Sequence, residues 1–441
     1  MFLLPIPIFL GDVAARCADA VRFGATSGHL LLSPRMSWGR HVWRTSAILL
    51  LMFLFACVSL VLGTSHSLRD ILDVLRIAAF WTVFLFGASI AWKGRLSTSA
   101  LIAFSQLMLA IGVLNAVFTI GQFYFPNLTR PLQLLYAIGE LRLLRMELIS
   151  EQGRSTGFFS NPNTYAFMLL LLGLPSISLF QLTMKRSYLV LGVLVFVTIL
   201  LTASRTGLIL LALVLIVFCV ASRKLGYMAA LAAICCGAYF TLGILVETDL
   251  VCEWSPYLNE LLVRVHGAIH GESFDVQSIN SFHERLLIWD RTLEWYHLNP
   301  VLGSGPLREE IHSFADNYYV YLLSRYGLVG LALYVVFSLY VLAASLSAIV
   351  SGRRPLREWG IVTLAALLAV NVANYTIDAF LTVPIGPILL LYAGYLTCLA
   401  DMHGSFAARH RRSHAVGGFR VAVGKLGSSP GIAIQATEVG P

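Results

Sequence analysis

The feature that most constrains this chain is its series of apolar runs, each close to the roughly 20 residues a helix needs to cross a bilayer. Ten are read: Ser46–Gly63, Ile71–Trp92, Ala100–Phe125, Thr164–Thr183, Tyr188–Ala203, Thr206–Ala221, Leu225–Val246, Leu328–Val350, Trp359–Phe380 and Val383–Ala400. In lipid such runs must satisfy their backbone groups internally, so each is expected as a helix. The expected fold class is an all-α polytopic integral membrane protein with about 10 transmembrane helices. Composition agrees: 58% of the residues are hydrophobic and 12% charged, against roughly 25% charged in soluble proteins. That excludes a disordered chain and argues against a water-soluble enzyme. Met1–Leu10 is apolar but too short to span, and no charged segment precedes it. An interfacial segment is expected there rather than a cleaved signal peptide.

Only Ser204-Arg205 separates the fifth and sixth runs. One helix over 188–221 would be about 50 Å long, too long for a core of roughly 30 Å. Lys185-Arg186 before the pair and Arg223-Lys224 after it share one membrane face only if the pair is a hairpin. A hairpin with Arg205 at its far tip is therefore expected.

Ten spans place both termini on one side. Of the 31 Lys and Arg, 19 then fall on that side and 12 on the other, with face charges of +14 and −6 that make up the net +8. This bias accounts for the basic balance without a nucleic-acid partner, and it assigns both termini to the cytoplasm. The expected organisation is a cytoplasmic N-terminal segment over 1–45, a membrane domain over 46–400, and a basic cytoplasmic tail over 401–441 near anionic lipid. Two long loops share the outer face, Pro126–Asn163 and Glu247–Tyr326, the second lying between spans seven and eight. The seven cysteines form no Cys-x-x-Cys pair and no metal-like spacing, so neither a disulfide framework nor a metal site is expected.

All 12 outer-face cations are arginines. Guanidinium suits bidentate phosphate recognition, but lysine is scarce throughout, so position must carry the argument. Three places stand out. Arg154-Ser-Thr-Gly-Phe-Phe-Ser-Asn-Pro-Asn163 precedes the fourth span, with turn formers and Asn163 as a potential cap. Ser204-Arg205-Thr-Gly occupies the hairpin tip, where an arginine seeks an anion or a carbonyl cluster, or snorkels. In the large loop, Arg285 and Arg291 lie on a segment whose Leu286, Trp289, Leu293 and Tyr296 recur at helical spacing. That is an amphipathic helix expected on the membrane surface. Gly303 and Gly305 mark a tight turn, and His312 and Asp316 are four apart, on one face if helical. Such a pair suits a general base or relay, or is a chance pair on an exposed helix. Within the membrane, Asn115 with Gln122, and Asn371 with Asn374 and Asp378, mark polar faces toward a wet cavity or a neighbouring helix.

In order and spacing these blocks resemble the O-antigen polymerase/ligase superfamily. The set is R-x-x-G-F-F-x-N-P-N, S-R-T-G, R-x-x-x-W…N-P-x-x-G-x-G, then Asp316-Asn317-Tyr318-Tyr319 through Gly327-Leu328-Val329-Gly330. The resemblance covers about residues 150–345 in motif and the whole chain in architecture. It implies a membrane glycosyltransferase, GT-C-like, in the bacterial inner membrane. Such enzymes work at the periplasmic face on a glycan held by undecaprenyl diphosphate, without a cofactor or metal. Polymerases join repeat units; ligases move the glycan to lipid A–core. Implied partners are the lipid-linked glycan, membrane lipid, and glycan-export and chain-length-control proteins.

The chain departs from the ligases, which carry histidine before the last-block asparagine; here Asp316 stands there, with His312 one turn earlier. Either Asp316 is the base, or His312 substitutes, or the chemistry is that of a polymerase, whose members often show aspartate there. The polymerase reading is favoured. It assigns Asp316, His312 and Arg205 to catalysis and Arg154, Arg285, Arg291, Asn163 and Asn317 to substrate binding. Arginines would neutralise the diphosphate leaving group, and a carboxylate or imidazole would deprotonate the acceptor hydroxyl. Competing classes are a transporter of lipid-linked glycan or solute, and a non-catalytic assembly partner. The first is disfavoured because no inverted repeat of broken helices is visible.

Overall fold

The computed structural model describes residues 39–62, 68–93, 98–125, 127–131, 155–157, 159, 161–202, 204–223, 276–306, 317–382 and 384–403. Among these the regular elements are helical. Helices α1 (Arg40–Leu62), α2 (Leu68–Lys93) and α3 (Thr98–Tyr124) open the bundle. Helices α4 (Pro162–Gly173) and α5 (Pro175–Thr183) follow, then α6 (Arg186–Leu200), α7 (Arg205–Ala221) and α8 (Val276–Leu298). Helices α9 (Tyr318–Val350), α10 (Arg354–Ala373) and α11 (Ile385–His403) close it.

Among the described residues, seven segments are long and apolar enough to cross a membrane: α1, α2, α3, α4 with α5, α9, α10 and α11. Helices α6 and α7 are apolar but shorter. Together these account for every expected run except Leu225–Val246, which lies outside the described residues. The chain is thus a nearly all-helical polytopic membrane protein. Between α4 and α5 the helix is jointed at Leu174–Pro175, because proline brings no N–H and crowds the preceding turn.

Two hydrogen bonds fix the α6–α7 hairpin. The Arg354 guanidinium donates to the Gln181 carbonyl just before α6. Arg357 donates to the Ser222 carbonyl just after α7, at 3.0 Å. Both flanks therefore meet the same turn at the start of α10, and the 201–204 connection lies at the opposite end. That basic end also carries Lys185, Arg186, Arg223 and Arg353. Here the Asp401 carboxylate of α11 accepts from the His41 and Val42 N–H groups, at 3.0 and 2.9 Å, capping α1. The start of α1 and the end of α11 thus share one end of the bundle.

The interior is aromatic and apolar. Phe104 stacks on Tyr395 at 4.9 Å and meets Trp359 edge-on at 5.4 Å, tying α3, α10 and α11. A second cluster joins Tyr318, Tyr334 and Phe380, with rings 5.0 to 5.5 Å apart, beneath the end opposite the cations.

Candidate functional site

Polar side chains gather at that opposite end in three structural units. The first receives the loop after Arg154. Gln122, on α3, accepts from the N–H groups of Thr156 and Gly157 at 3.1 and 2.8 Å and donates to Thr156 Oγ1 at 3.2 Å. The Ser155 N–H donates to the Leu201 carbonyl at the end of α6, and its hydroxyl donates to the Thr119 carbonyl. Gly157 has φ +57 and lies against the Tyr165 ring, leaving no space for a Cβ. One glutamine amide thus satisfies two buried backbone donors that would otherwise be costly.

From there the chain enters α4. Asn161, not Asn163, is the N-cap: its Oδ1 accepts from the Asn163 N–H at 2.9 Å, with Pro162 as the first helical residue. The expected cap at Asn163 is corrected by two residues, because proline at the first position fixes the helix start one residue before it. Asn163 instead turns its Oδ1 to the Ser204 hydroxyl, which donates to it at 2.7 Å. Ser204 caps α7, accepting from the Gly207 N–H at 3.0 Å. The two sequence blocks 154–163 and 204–207 are therefore bonded to each other, with Arg205 as the first residue of α7.

The second unit is a break in α9. At Gly327 the backbone takes φ 59, ψ −160, and helical bonding is replaced by bonds to the loop after α8. The N–H groups of Leu328 and Val329 donate to the Pro300 and Val301 carbonyls at 2.9 and 3.2 Å. The Ser324 and Arg325 carbonyls, which those N–H groups would meet in a continuous helix, accept instead from Ser304 and Gly305, both at 3.0 Å. Gly303 and Gly305 have φ +75 and +90, as the expected tight turn requires. A Cβ on Gly327 would collide with the Val301 carbonyl oxygen and lie 2.6 Å from the Gly303 nitrogen. The glycine blocks at 303–305 and 327–330 are thus two sides of one backbone crossing. Just above it, Arg325 is buried, 3.3 Å from the buried carboxylate of Asp73 on α2.

The third unit is the entrance of α9. Asn317 caps it, accepting from the Tyr319 and Val320 N–H groups at 2.9 and 3.2 Å. The Tyr318 N–H donates to the Asn374 carbonyl at 2.8 Å. The Asn374 side chain is fully buried; it accepts from the Phe380 N–H at 2.9 Å and donates to Tyr334 Oη at 2.7 Å. Tyr334 and Tyr319 both donate to Asn371. The common helical face expected for Asn371, Asn374 and Asp378 does not form, because α10 ends at Ala373. Asn371 and Asn374 serve a polar platform under the α9 entrance instead.

Among the expected site residues, Asn163 and the Arg205 backbone are brought together, and Asn317 stands at the α9 cap. The expected amphipathic helix is α8. On it Arg285 is half-buried and Arg291 exposed, and Trp289 packs edge-on against Tyr375 at 6.1 Å. Arg154, His312 and Asp316 lie outside the described residues, as does the Arg205 side chain. Sequence reasoning missed the Arg325–Asp73 pair and the α9 break. Their signals were present: acidic Asp70 and Asp73 opening an apolar run, and Gly327 placed between two apolar stretches. Among the described residues no group of three or more His, Cys, Asp or Glu is placed to hold a metal.

No curated protein matches the chain at a significant level. Residues 190–335, about a third of the chain, match the family model described as O-antigen ligase. The matched stretch contains the Ser204–Arg205 tip, α8, the glycine crossing and the first half of α9. This match, on a polytopic helical bundle that joins the same sequence blocks in space, supports placing the chain in the O-antigen polymerase/ligase superfamily.

Proposed function

We propose that the chain transfers glycan from undecaprenyl diphosphate at the periplasmic face of the bacterial inner membrane, joining repeat units of an O-antigen or exopolysaccharide. The observation that carries this reading is the Ser204–Asn163 hydrogen bond. It places Arg205, at the α7 N-terminus, beside the block that begins at Arg154. A helix N-terminus that opens with an arginine suits a diphosphate leaving group, whose charge grows as the glycosidic bond breaks, and Arg154 is assigned to the same group from its place in the sequence. Arg285 and Arg291 on α8 supply further cationic contacts. Asp316, which precedes Asn317 in the sequence, or His312 takes the proton from the acceptor hydroxyl. The basic end of the bundle faces the cytoplasm with both termini, by the distribution of its cations.

The ligase reading is kept beside it, since the matching family model carries that description. The test uses the full chain in lipid with an undecaprenyl-diphosphate-linked repeat unit, with and without lipid A–core. A product ladder from the lipid-linked unit alone supports a polymerase. A single shift that requires lipid A–core supports a ligase. Absence of product in both, from folded protein, refutes glycan transfer. R154K and R205K, which keep charge but lose the bidentate fork, are expected to insert normally and to lose activity; full activity in both removes the arginines from the mechanism.

A further inference from the structure

Arg325 is a buried guanidinium that the proposed transfer does not use. It lies 3.3 Å from Asp73 Oδ2 and 4.3 Å over the centre of the Tyr321 ring. Asp73 is equally buried, and its other oxygen is 3.5 Å from Arg76. Desolvating two such ions costs several kcal/mol each, and their attraction roughly offsets this, so the pair is a poor device for stability alone. A methionine would fill similar space without the cost. What a buried charge pair supplies well is register, because one height and one rotation bring the charges together.

The segment it registers is short. With α9 broken at Gly327, residues 318–326 form a helix of their own, with Asn317 as its cap and Arg325 in its last turn. The top is tied to α10 through the Tyr318 N–H and the Asn374 carbonyl. At the bottom, the Ser324 carbonyl accepts from Ser304, and the Arg325 carbonyl accepts from both Gly305 and the Ser59 hydroxyl of α1. The Arg325 side chain adds the tie to α2.

We propose that the Arg325–Asp73 ion pair is a positioning device for the transfer reaction. It sets the height and rotation of helix 318–326, and so of its Asn317 cap, against the donor-binding end. This rests on the glycan-transfer reading above. Arg325 does not touch the reacting atoms; it acts through the helix it anchors.

The test compares the full-length wild type with R325M, R325K and D73N in lipid nanodiscs. It measures transfer kinetics with the lipid-linked repeat unit, and hydrogen exchange along the chain. R325M and D73N are expected to lower kcat by about tenfold or more, with KM for the lipid-linked unit within about twofold of wild type. R325K recovers most of kcat, and exchange rises in 317–326 while the other helices stay protected. Unchanged kcat in R325M and D73N overturns the proposal. So does faster exchange spread evenly over all helices, with activity lost in proportion to folded protein, because the pair would then be general scaffolding. A wild type that makes no product, with exchange still rising only in 317–326, refutes glycan transfer itself and with it the pair's role in the reaction, leaving a structural tie.

Discussion

The Ser204 hydroxyl donates to Asn163 Oδ1 at 2.7 Å and accepts from the Gly207 N–H at 3.0 Å. One oxygen thus caps α7 and fastens that cap to α4, 41 residues earlier. Neither half would fix the other alone. Asn163 is already inside α4, behind Asn161 and Pro162, so its side chain is directed by a rigid turn. Ser204 is directed by the helix it caps. Their meeting fixes the backbone of Arg205 relative to the loop that follows Arg154.

Breaking that contact should uncouple the two blocks. S204A loses the cap and the cross-bond together, and is expected to destabilise the fold by about 1–2 kcal/mol. N163A loses the cross-bond alone, by about 1 kcal/mol. Because the pair shares one bond, the double variant should fall short of the sum by about 0.5 kcal/mol or more. Thermal unfolding of the four proteins in lipid measures this; strict additivity would show that the bond carries no energy. Transfer activity should drop in both single variants, since Arg205 moves with Ser204.

Glycine at 327 is expected to be indispensable in a way that glycine at 352 is not. Both have positive φ, 59 and 70. A Cβ at Gly352 meets nothing within 4 Å, whereas one at Gly327 meets the backbone of Val301 and Gly303. G352A therefore costs only left-handed strain, about 1–2 kcal/mol. G327A adds a backbone collision that no rotamer relieves, and should abolish the crossing and most folded protein. Size-exclusion profiles of the two variants decide it; equal yields would mean that the crossing tolerates displacement.

The helices were legible in the sequence because lipid leaves few alternatives: apolar length alone marked the spans that the structure describes, and flanking lysines and arginines marked the hairpin. The ordered blocks likewise marked segments that the structure bonds to one another, 161–163 with 204 and 300–305 with 324–329. The joints between them were not legible. Asn163 read as a cap by its residue type, yet the cap shifted to Asn161 because Pro162 set the helix start. Arg325 read as a loop cation because the apolar run begins at Leu328, whereas the helical hydrogen bonds begin at Tyr318, ten residues earlier. Its partner Asp73 is 252 residues away, and apolar periodicity contains no information about which distant carboxylate a cation meets. Gln122 showed as a polar position in a span, but nothing local to it identified the backbone of Thr156 and Gly157 as its target.

Gln122 provides a direct test of how the loop after Arg154 is held. Q122L keeps the apolar volume and removes the acceptor shared by two buried N–H groups. Each stranded donor costs about 1–3 kcal/mol unless the loop lifts to reach water. Lifting is the expected response, since residues 155–157 form a loop end rather than a helix. Limited proteolysis should then cut Q122L near 155–157 faster than wild type while the helices remain intact. Q122E keeps the acceptor and should resist cleavage like wild type. Equal resistance of Q122L would show that Ser155, through Leu201 and Thr119, holds the loop unaided.

Asn374 should be the least replaceable polar residue of the α9 entrance. Its side chain satisfies the Phe380 N–H, donates to Tyr334 and is fully buried. N374L strands the Phe380 N–H in an apolar surround, at about 1–3 kcal/mol, while Tyr334 retains Asn371 as its acceptor. Y334F leaves the Asn374 amide group without that acceptor but keeps the Phe380 bond, and should cost less, about 1 kcal/mol. The order of melting temperatures is therefore wild type, then Y334F, then N374L. Because the Asn374 carbonyl also receives the Tyr318 N–H, distortion of the 374–380 turn passes directly to the cap at Asn317. N374L should consequently lose transfer activity at temperatures where it is still fully folded, while Y334F keeps most of it. If both variants lose activity only as they melt, the platform stabilises the bundle and does not set the α9 entrance.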